Sequence, residues 1–208
     1  SPTAELIKKR QDLGEKIKQQ NISYWQSEYC ILGDNAGEIK GNGVDLGMKT
    51  ALYVAKVIHA DLTHAHASAW HWWLSVSAND FKDGLIYVFN NGANGENDKN
   101  KFDGEVLDSK LLWALGNYSR FIRPNMKRIK VDMAAENVLV SGYTSKNQVV
   151  VVFVNNSGSQ RVELPKMRRK QKIDAYVTSQ TENLTHRKVN KNILELPAES
   201  VVTLVITY

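Results

Sequence analysis

The chain has 208 residues, of which 42% are hydrophobic and 24% charged, with a formal net charge of +5. These totals describe an ordinary globular chain, and no apolar run reaches the roughly 18 residues of a membrane helix, so no membrane insertion is expected. A single cysteine, Cys30, excludes an intrachain disulfide and a cysteine-rich zinc site.

The opening "SPTAELIKKRQ" reads as a polar helix rather than a signal peptide. Ser1 or Thr3 can cap it, and Leu6, Leu13 and Ile17 share one face. The helix should end near Asn21, before a short strand through "ISYWQSEY". The loop "GDNAGEIKGNG" carries four glycines and cannot be regular structure. A second helix follows, with Ala51, Leu52, Ala55, Ile58 and Leu62 as its buried stripe. "ASAWHWWLSV" is then expected as one buried strand and "GLIYVF" as another, followed by the polar loop "NNGANGENDKN". A third helix should begin at Asp108 or Ser109, present Leu111, Leu115, Tyr118 and Ile122 on one face, and stop at Pro124. Helix and strand alternate as in βα repeats.

From about Lys127 the helical period disappears. "RIKVDMA", "NVLVSGYT", "QVVVVFVNN", "QRVELP", "IDAYVTS" and "ESVVTLVITY" read as short strands separated by turns such as "NNSGS". Roughly 80 residues in this pattern indicate an antiparallel β-sandwich. The expected division is therefore 1–125, βα units, and 126–208, a β-sandwich support domain. Two or three βα units cannot close a barrel, which takes eight. The fold expected is the C-terminal part of a larger βα structure followed by the sandwich, or one whose missing units arrive from another chain.

The basic run "KMRRKQK" (166–172) reads as a solvated loop or a blunted edge. It lacks the interleaved aromatics or module that nucleic-acid binding would require, so no nucleic-acid partner is expected.

The residues that invite chemistry lie in "YWQSEYC". Glu28 stands at the C-terminal end of a strand and before a glycine-rich loop, the place where barrel enzymes carry their catalytic groups. Two readings compete on the residues alone: a solvated or ion-paired strand-end glutamate, and a catalytic carboxylate beside aromatic faces that suit a sugar ring. Alternation places Trp70 and Trp72 on one side of the next strand and His71 and Trp73 on the other. His71 faces away from Trp72 and reads as facing a helix. Asp34, Glu38 and Asp45 contact substrate or only solvate the loop, and Asp80 and Asp83 are further partners for sugar hydroxyls. His64, His66 and His71 lie close in sequence, but no carboxylate motif accompanies them, and neither a metal nor a cofactor is expected. Cys30 reads as a buried thiol.

"YWQSEYC", "SAWHWWLSV", "KLLWALGNYSRFIRPNMKRIKV" and "LPAESVVTLVIT" occur in this order along the whole chain and resemble the C-terminal portion of family 30 glycoside hydrolases of clan A. The resemblance implies a (β/α)8 barrel with a side-fused β-sandwich and a configuration-retaining mechanism that uses two glutamates. It places the nucleophile on Glu28 and the aromatic floor of the sugar subsite on Trp72, with Trp70 second. The family's acid/base glutamate follows an asparagine on an earlier strand. Here Glu96 and Glu136 each precede an asparagine, so the general acid is expected outside this chain and the chain alone is expected to be inactive. The implied substrate is a β-linked polysaccharide or glycan, and the implied location secreted, periplasmic or at the cell surface. The glycine-rich loop lacks the Arg or Tyr cluster that would hold a uronic-acid branch, which disfavours glucuronoxylan. The competing reading is a non-catalytic carbohydrate-binding or scaffolding module built on the sandwich.

Overall fold

The computed structural model describes residues 3–34, 38–89, 104–133, 135, 137–165, 171–189 and 192–208. The expected polar loop "NNGANGENDKN" and most of the run "KMRRKQK" lie outside them. The chain forms two compact units, one of residues Ser1–Tyr53 and Ala60–Leu112, the other of Val54–His59 and Trp113–Tyr208. The boundary expected at 125 falls inside the second.

In the first unit, helix α1 (Ala4–Gln20) starts where the Thr3 hydroxyl accepts the Leu6 N–H, and it ends at Asn21 in the left-handed conformation. Leu6 and Leu13 remain 40% and 36% exposed while Ile17 is buried, so two of the three residues of the expected apolar stripe are open. Gly14 marks a close approach. A side chain there would place its Cβ 2.2 Å from the His64 carbonyl oxygen and 2.9 Å from the His66 ring, which explains a glycine inside a helix that it otherwise weakens.

Strand β1 (Trp25–Tyr29) leads through the glycine-rich loop to helix α2 (Met48–Thr63), and β2 (Ala69–Trp72) returns parallel to β1. This is the expected βα order. Ala51, Leu52, Ala55 and Ile58 of α2 are buried, as its apolar stripe requires. The segment expected as one strand, "ASAWHWWLSV", is two: β2 ends at Trp72, and β3 (Val76–Ser77) follows a cis peptide between Trp73 and Leu74. β3 pairs in parallel with β4 (Ile86–Phe89), and β4 pairs antiparallel with β5 (Glu105–Asp108), a strand the sequence reading misses. Helix α3 (Lys110–Ser119) begins where the Ser109 hydroxyl accepts the Leu112 N–H.

The second unit contains β6 (Lys127–Ile129), β7 (Val138–Thr144), β8 (Gln148–Asn155), β9 (Gln160–Glu163), β10 (Lys172–Thr178), β11 (Thr185–Lys188), β12 (Ile193–Leu196) and β13 (Ser200–Thr207). A six-stranded antiparallel sheet runs in the order β11-β10-β13-β8-β7-β6, and β12 pairs with β9 in a second, smaller sheet. Strands β11 and β12 are additional to the six expected. β8 is apolar on both faces because both are covered. Val151 and Phe153 join Val177, Leu194, Leu196 and Leu204 in the core between the two sheets. On the opposite face, Asn117 of α3 donates to Thr203 Oγ1 (2.9 Å) and the Tyr176 carbonyl (3.0 Å) and accepts from Thr178 Oγ1 (2.6 Å). Among the described residues no helix is long and apolar enough to cross a membrane.

Candidate active site

The two parallel strands carry different chemistry on their two faces. Tyr29, Trp70 and Trp72 pack together, with ring centroids 5.8 to 6.3 Å apart, and the two indoles are stacked. Two of their polar atoms meet helix α2. Tyr29 Oη lies 3.3 Å from Tyr53 Oη on α2, and Trp70 Nε1 donates to Asp61 Oδ2 on the same helix (2.9 Å). Asp61 also pairs with Arg10 of α1 at 2.6 Å, with both side chains largely shielded from solvent. Trp72 Nε1 donates to the Asp83 carbonyl oxygen (2.8 Å). Burial, then the Tyr53 contact, pushes the Tyr29 phenol well above its ordinary pKa, so it remains a neutral packing group.

The other face holds Trp25 and His71, in edge contact at 6.0 Å. His71 is exposed, and Trp25 is 62% exposed. His71, expected against a helix, is thus on the open side, while Trp70 reaches α2 through Asp61. Alternation separates the two sets correctly, but it does not determine which set meets α2.

Glu28 sits at an irregularity. Gln26 pairs with Trp70 and Tyr29 with Trp72, leaving Ser27 and Glu28 against the single intervening residue His71. Such an insertion re-aims side chains at a strand end. Gln26 and Tyr29 stay with the packed set, while Glu28 is exposed. The local backbone is held: Gln26 Nε2 donates to the Glu28 carbonyl (2.7 Å), and Tyr24 Oη donates to Gln26 Oε1 (2.5 Å). The Trp73 N–H donates to the Tyr29 carbonyl (3.0 Å), fixing the start of the post-β2 segment beside the residue after Glu28. Trp73 itself is 45% exposed. Sequence reasoning passes it over because it groups Trp73 with His71 on the side taken as packed.

Cys30 is half-buried. Burial first, then the carboxylates of Glu28 and Asp83, raise its thiol pKa, so it stays protonated at neutral pH and is a poor nucleophile. The loops around this strand end are fastened to each other. Asp80 Oδ1 accepts the Val44 N–H (2.8 Å), and Lys82 Nζ donates to the Asn42 and Gly43 carbonyls at 2.6 and 2.9 Å. Asp45 accepts from the Gly47 N–H, the Thr50 N–H and the Thr50 hydroxyl, and so secures the first turn of α2. Asp34 is exposed and bridges to Lys40 within the glycine-rich loop. Asp83 is 4% exposed, and its carbonyl accepts the Leu74 N–H as well as the Trp72 indole. Of the carboxylates singled out from sequence, Asp45 and Asp80 thus hold backbone, Asp83 is buried, and Glu28, Asp34 and Glu38 are exposed. Among the described residues no group of three His, Cys, Asp or Glu is placed to hold a metal.

Comparison with known proteins places this arrangement. The model of O-Glycosyl hydrolase family 30 matches residues 1–87. Glucuronoxylanase XynC of Bacillus subtilis is 30% identical over 166 residues, which cover 75% of this chain and 34% of that protein. The crystal structure of a conserved exported protein from Bacteroides fragilis superposes with a TM-score of 0.81 at 32% identity, over 98% of this chain and 43% of that one. The catalytic domain of GH30 xylanase C from Talaromyces cellulolyticus gives 0.69 at 25% identity, over 90% and 41%. The chain thus spans about a third of the curated relative's length and less than half of each of these structures. By sequence and by structure, the chain corresponds to the C-terminal portion of the family 30 O-glycosyl hydrolases.

Proposed function

We propose that this chain is the nucleophile-bearing portion of a retaining β-glycoside hydrolase. It contributes the last βα units of a (β/α)8 barrel and a β-sandwich support domain, and the earlier strands of the parent protein complete the barrel. The single observation that carries this reading is the placement of Glu28. It is an exposed carboxylate at the C-terminal end of a parallel strand, at a register irregularity and beside loops fastened in place.

In this reading the Glu28 carboxylate attacks the anomeric carbon as the glycosidic oxygen departs, and a glycosyl ester forms on Glu28. A second carboxylic acid, carried by the missing strands about 5–5.5 Å away, protonates the leaving oxygen and then deprotonates the water that cleaves the ester. The net stereochemistry is retention. The aromatic surface offered to the sugar is Trp73, exposed and anchored through its N–H next to Glu28, in place of Trp70 and Trp72, whose indoles are spent on Asp61 and Asp83.

The substrate class is a β-linked polysaccharide, and the xylan-degrading names of the relatives favour a xylan backbone. The absence of an Arg or Tyr cluster in the loop at 33–43 argues that hydrolysis does not depend on a uronic-acid branch. Export fits a polymer-degrading enzyme and matches the exported relative.

The test is Glu28→Gln in the complete protein. Turnover on xylan should fall by at least about a thousandfold while oligosaccharide binding persists. A variant that keeps wild-type turnover overturns Glu28 as the nucleophile, whereas a complete protein that binds β-glycans without turning them over, with affinity unchanged by Glu28→Gln, favours a binding module. Xylan hydrolysis by the 208-residue chain alone overturns the assignment of the general acid to the missing strands.

A further inference from the structure

Strand β1 carries Glu28 on a stretch of backbone that its neighbour does not hold throughout. The Tyr24 carbonyl accepts the Ser68 N–H (2.8 Å) and the Tyr29 carbonyl accepts the Trp73 N–H (3.0 Å), so both ends of the stretch are tied to the segment that contains β2. Between them the register is interrupted, and the interruption falls on Ser27 and Glu28. An irregularity of this kind disrupts the ladder locally, at the point where a reacting carboxylate needs a fixed direction. Glu28 is exposed, so packing does not clamp its side chain, and the aim of its Cα–Cβ bond follows from the backbone.

One side chain supplies the tie. Gln26 pairs with Trp70 and is half-buried, and its amide spans its own strand. Nε2 donates to the Glu28 carbonyl (2.7 Å), and Oε1 accepts the Tyr24 hydroxyl (2.5 Å). Among uncharged side chains of that reach, only an amide carries a donor and an acceptor on opposite arms. Glutamate would lose the donor, and methionine both. Tyr24 in turn keeps its proton: burial first, then the Asp61 carboxylate, raises its phenol above the ordinary pKa, against the opposing Arg10 charge. The hydroxyl therefore remains a donor at neutral pH, and it fixes which arm of the amide faces Glu28.

We propose that Gln26 is a positioning residue for the nucleophile, and that the Tyr24–Gln26 relay sets the direction from which Glu28 meets the anomeric carbon. This rests on the reading of Glu28 as the nucleophile and deepens it. Gln26 touches neither the sugar nor the carboxylate; it acts through the Glu28 backbone. Supports of this kind hold a reacting group within about 0.5 Å of its productive place, and a displacement of about 1 Å costs up to about a hundredfold in rate. The loss falls on the chemical step rather than on sugar binding, because Trp73 keeps its own anchor on the Tyr29 carbonyl.

The test uses the complete protein acting on xylan. Gln26→Met removes both bonds at nearly constant length, and Tyr24→Phe removes only the hydroxyl. The kcat should fall roughly tenfold for Gln26→Met and roughly threefold for Tyr24→Phe, with KM within about twofold of wild type. The urea midpoint should move little, since the bond from Gln26 to the Glu28 carbonyl is exposed. The double variant should be no slower than Gln26→Met alone, because the hydroxyl acts only through the amide. A wild-type kcat in Gln26→Met, a loss confined to KM, a loss that disappears on correction for the folded fraction, or additive losses in the double variant each overturns the proposal. Where Gln26→Met fails to fold, Tyr24→Phe decides, and a wild-type kcat there overturns it. Wild-type turnover in Glu28→Gln overturns the nucleophile reading and this proposal together, whereas an inactive Glu28→Gln beside an unimpaired Gln26→Met overturns this proposal alone.

Discussion

Asp61 is the residue on which the packed face behind the candidate site depends. Its carboxylate takes the Arg10 guanidinium at 2.6 Å and the Trp70 indole N–H at 2.9 Å, and only 4% of its side chain and 18% of that of Arg10 are exposed. Replacing it with leucine keeps the branched shape but leaves a shielded cation and a shielded indole donor without partners. Breaking a buried ion pair from one side costs about 3–5 kcal/mol, and the residual exposure of Arg10 brings this to about 2–3 kcal/mol. The orphaned Trp70 N–H adds about 1 kcal/mol. Asp61→Leu should therefore destabilise by about 3–4 kcal/mol, and Asp61→Asn, which keeps an acceptor for the indole, by about 1 kcal/mol less. Urea unfolding followed by tryptophan fluorescence reads this directly, because Trp70 is stacked on Trp72. Adding Arg10→Met to Asp61→Leu should recover at least half of the loss, since the unpaired charge is then gone. A loss below about 1 kcal/mol for Asp61→Leu, or no recovery in the double variant, would refute the assignment of this cluster as the support of β2.

Asn117, in the "LGNY" segment of α3, should be intolerant of alanine. The change removes two donors to Tyr176 and Thr203 and an acceptor for Thr178, at a cost of about 2–4 kcal/mol in urea unfolding. The carboxyl of Asp45 should contribute to acid sensitivity. Burial acts to raise its pKa, but the Thr50 hydroxyl, the Gly47 and Thr50 N–H groups and the Lys82 charge together hold it below the ordinary carboxylate value. Its folded pKa is depressed, so its stabilisation is full above the unfolded value near 3.9 and is lost as pH falls through the folded value. Asp45→Asn should cost about 1 kcal/mol at neutral pH, and urea midpoints should show that deficit vanishing at the most acid pH.

The three helices were legible from their 3.6-residue apolar stripes, and two of them also from caps: Thr3 before α1 and Ser109 before α3 accept first-turn N–H groups, whereas α2 follows Gly47 with no side-chain cap. The strand-rich second half was legible from runs such as "VVVVFV". The strands missed were short, and their sequences carry little signal. β11 (Thr185–Lys188) is polar and exposed at all four positions, an edge strand held by its pairing with β10. β5 is four residues with charges at both ends. The site was half legible. Glu28 could be located at a strand end, but the orientation of Trp70 and Trp72 could not. A period of two divides residues between faces without saying which face meets a helix. The register shift between Gln26 and Tyr29 depends on the partner strand. The exposure of Leu6 and Leu13 in α1 belongs to the same class, since an apolar stripe does not say which of its residues is covered.

The central claim is that Glu28 forms a covalent bond to sugar. The direct measurement is mass spectrometry of the complete protein after incubation with a 2-deoxy-2-fluoro β-glycoside of the xylan series, a reagent that slows cleavage of the glycosyl ester. The account predicts one added sugar per protein, carried by the peptide that contains Glu28 and absent from Glu28→Gln. A label on a different carboxylate, in a protein that hydrolyses xylan with retention, would contradict it.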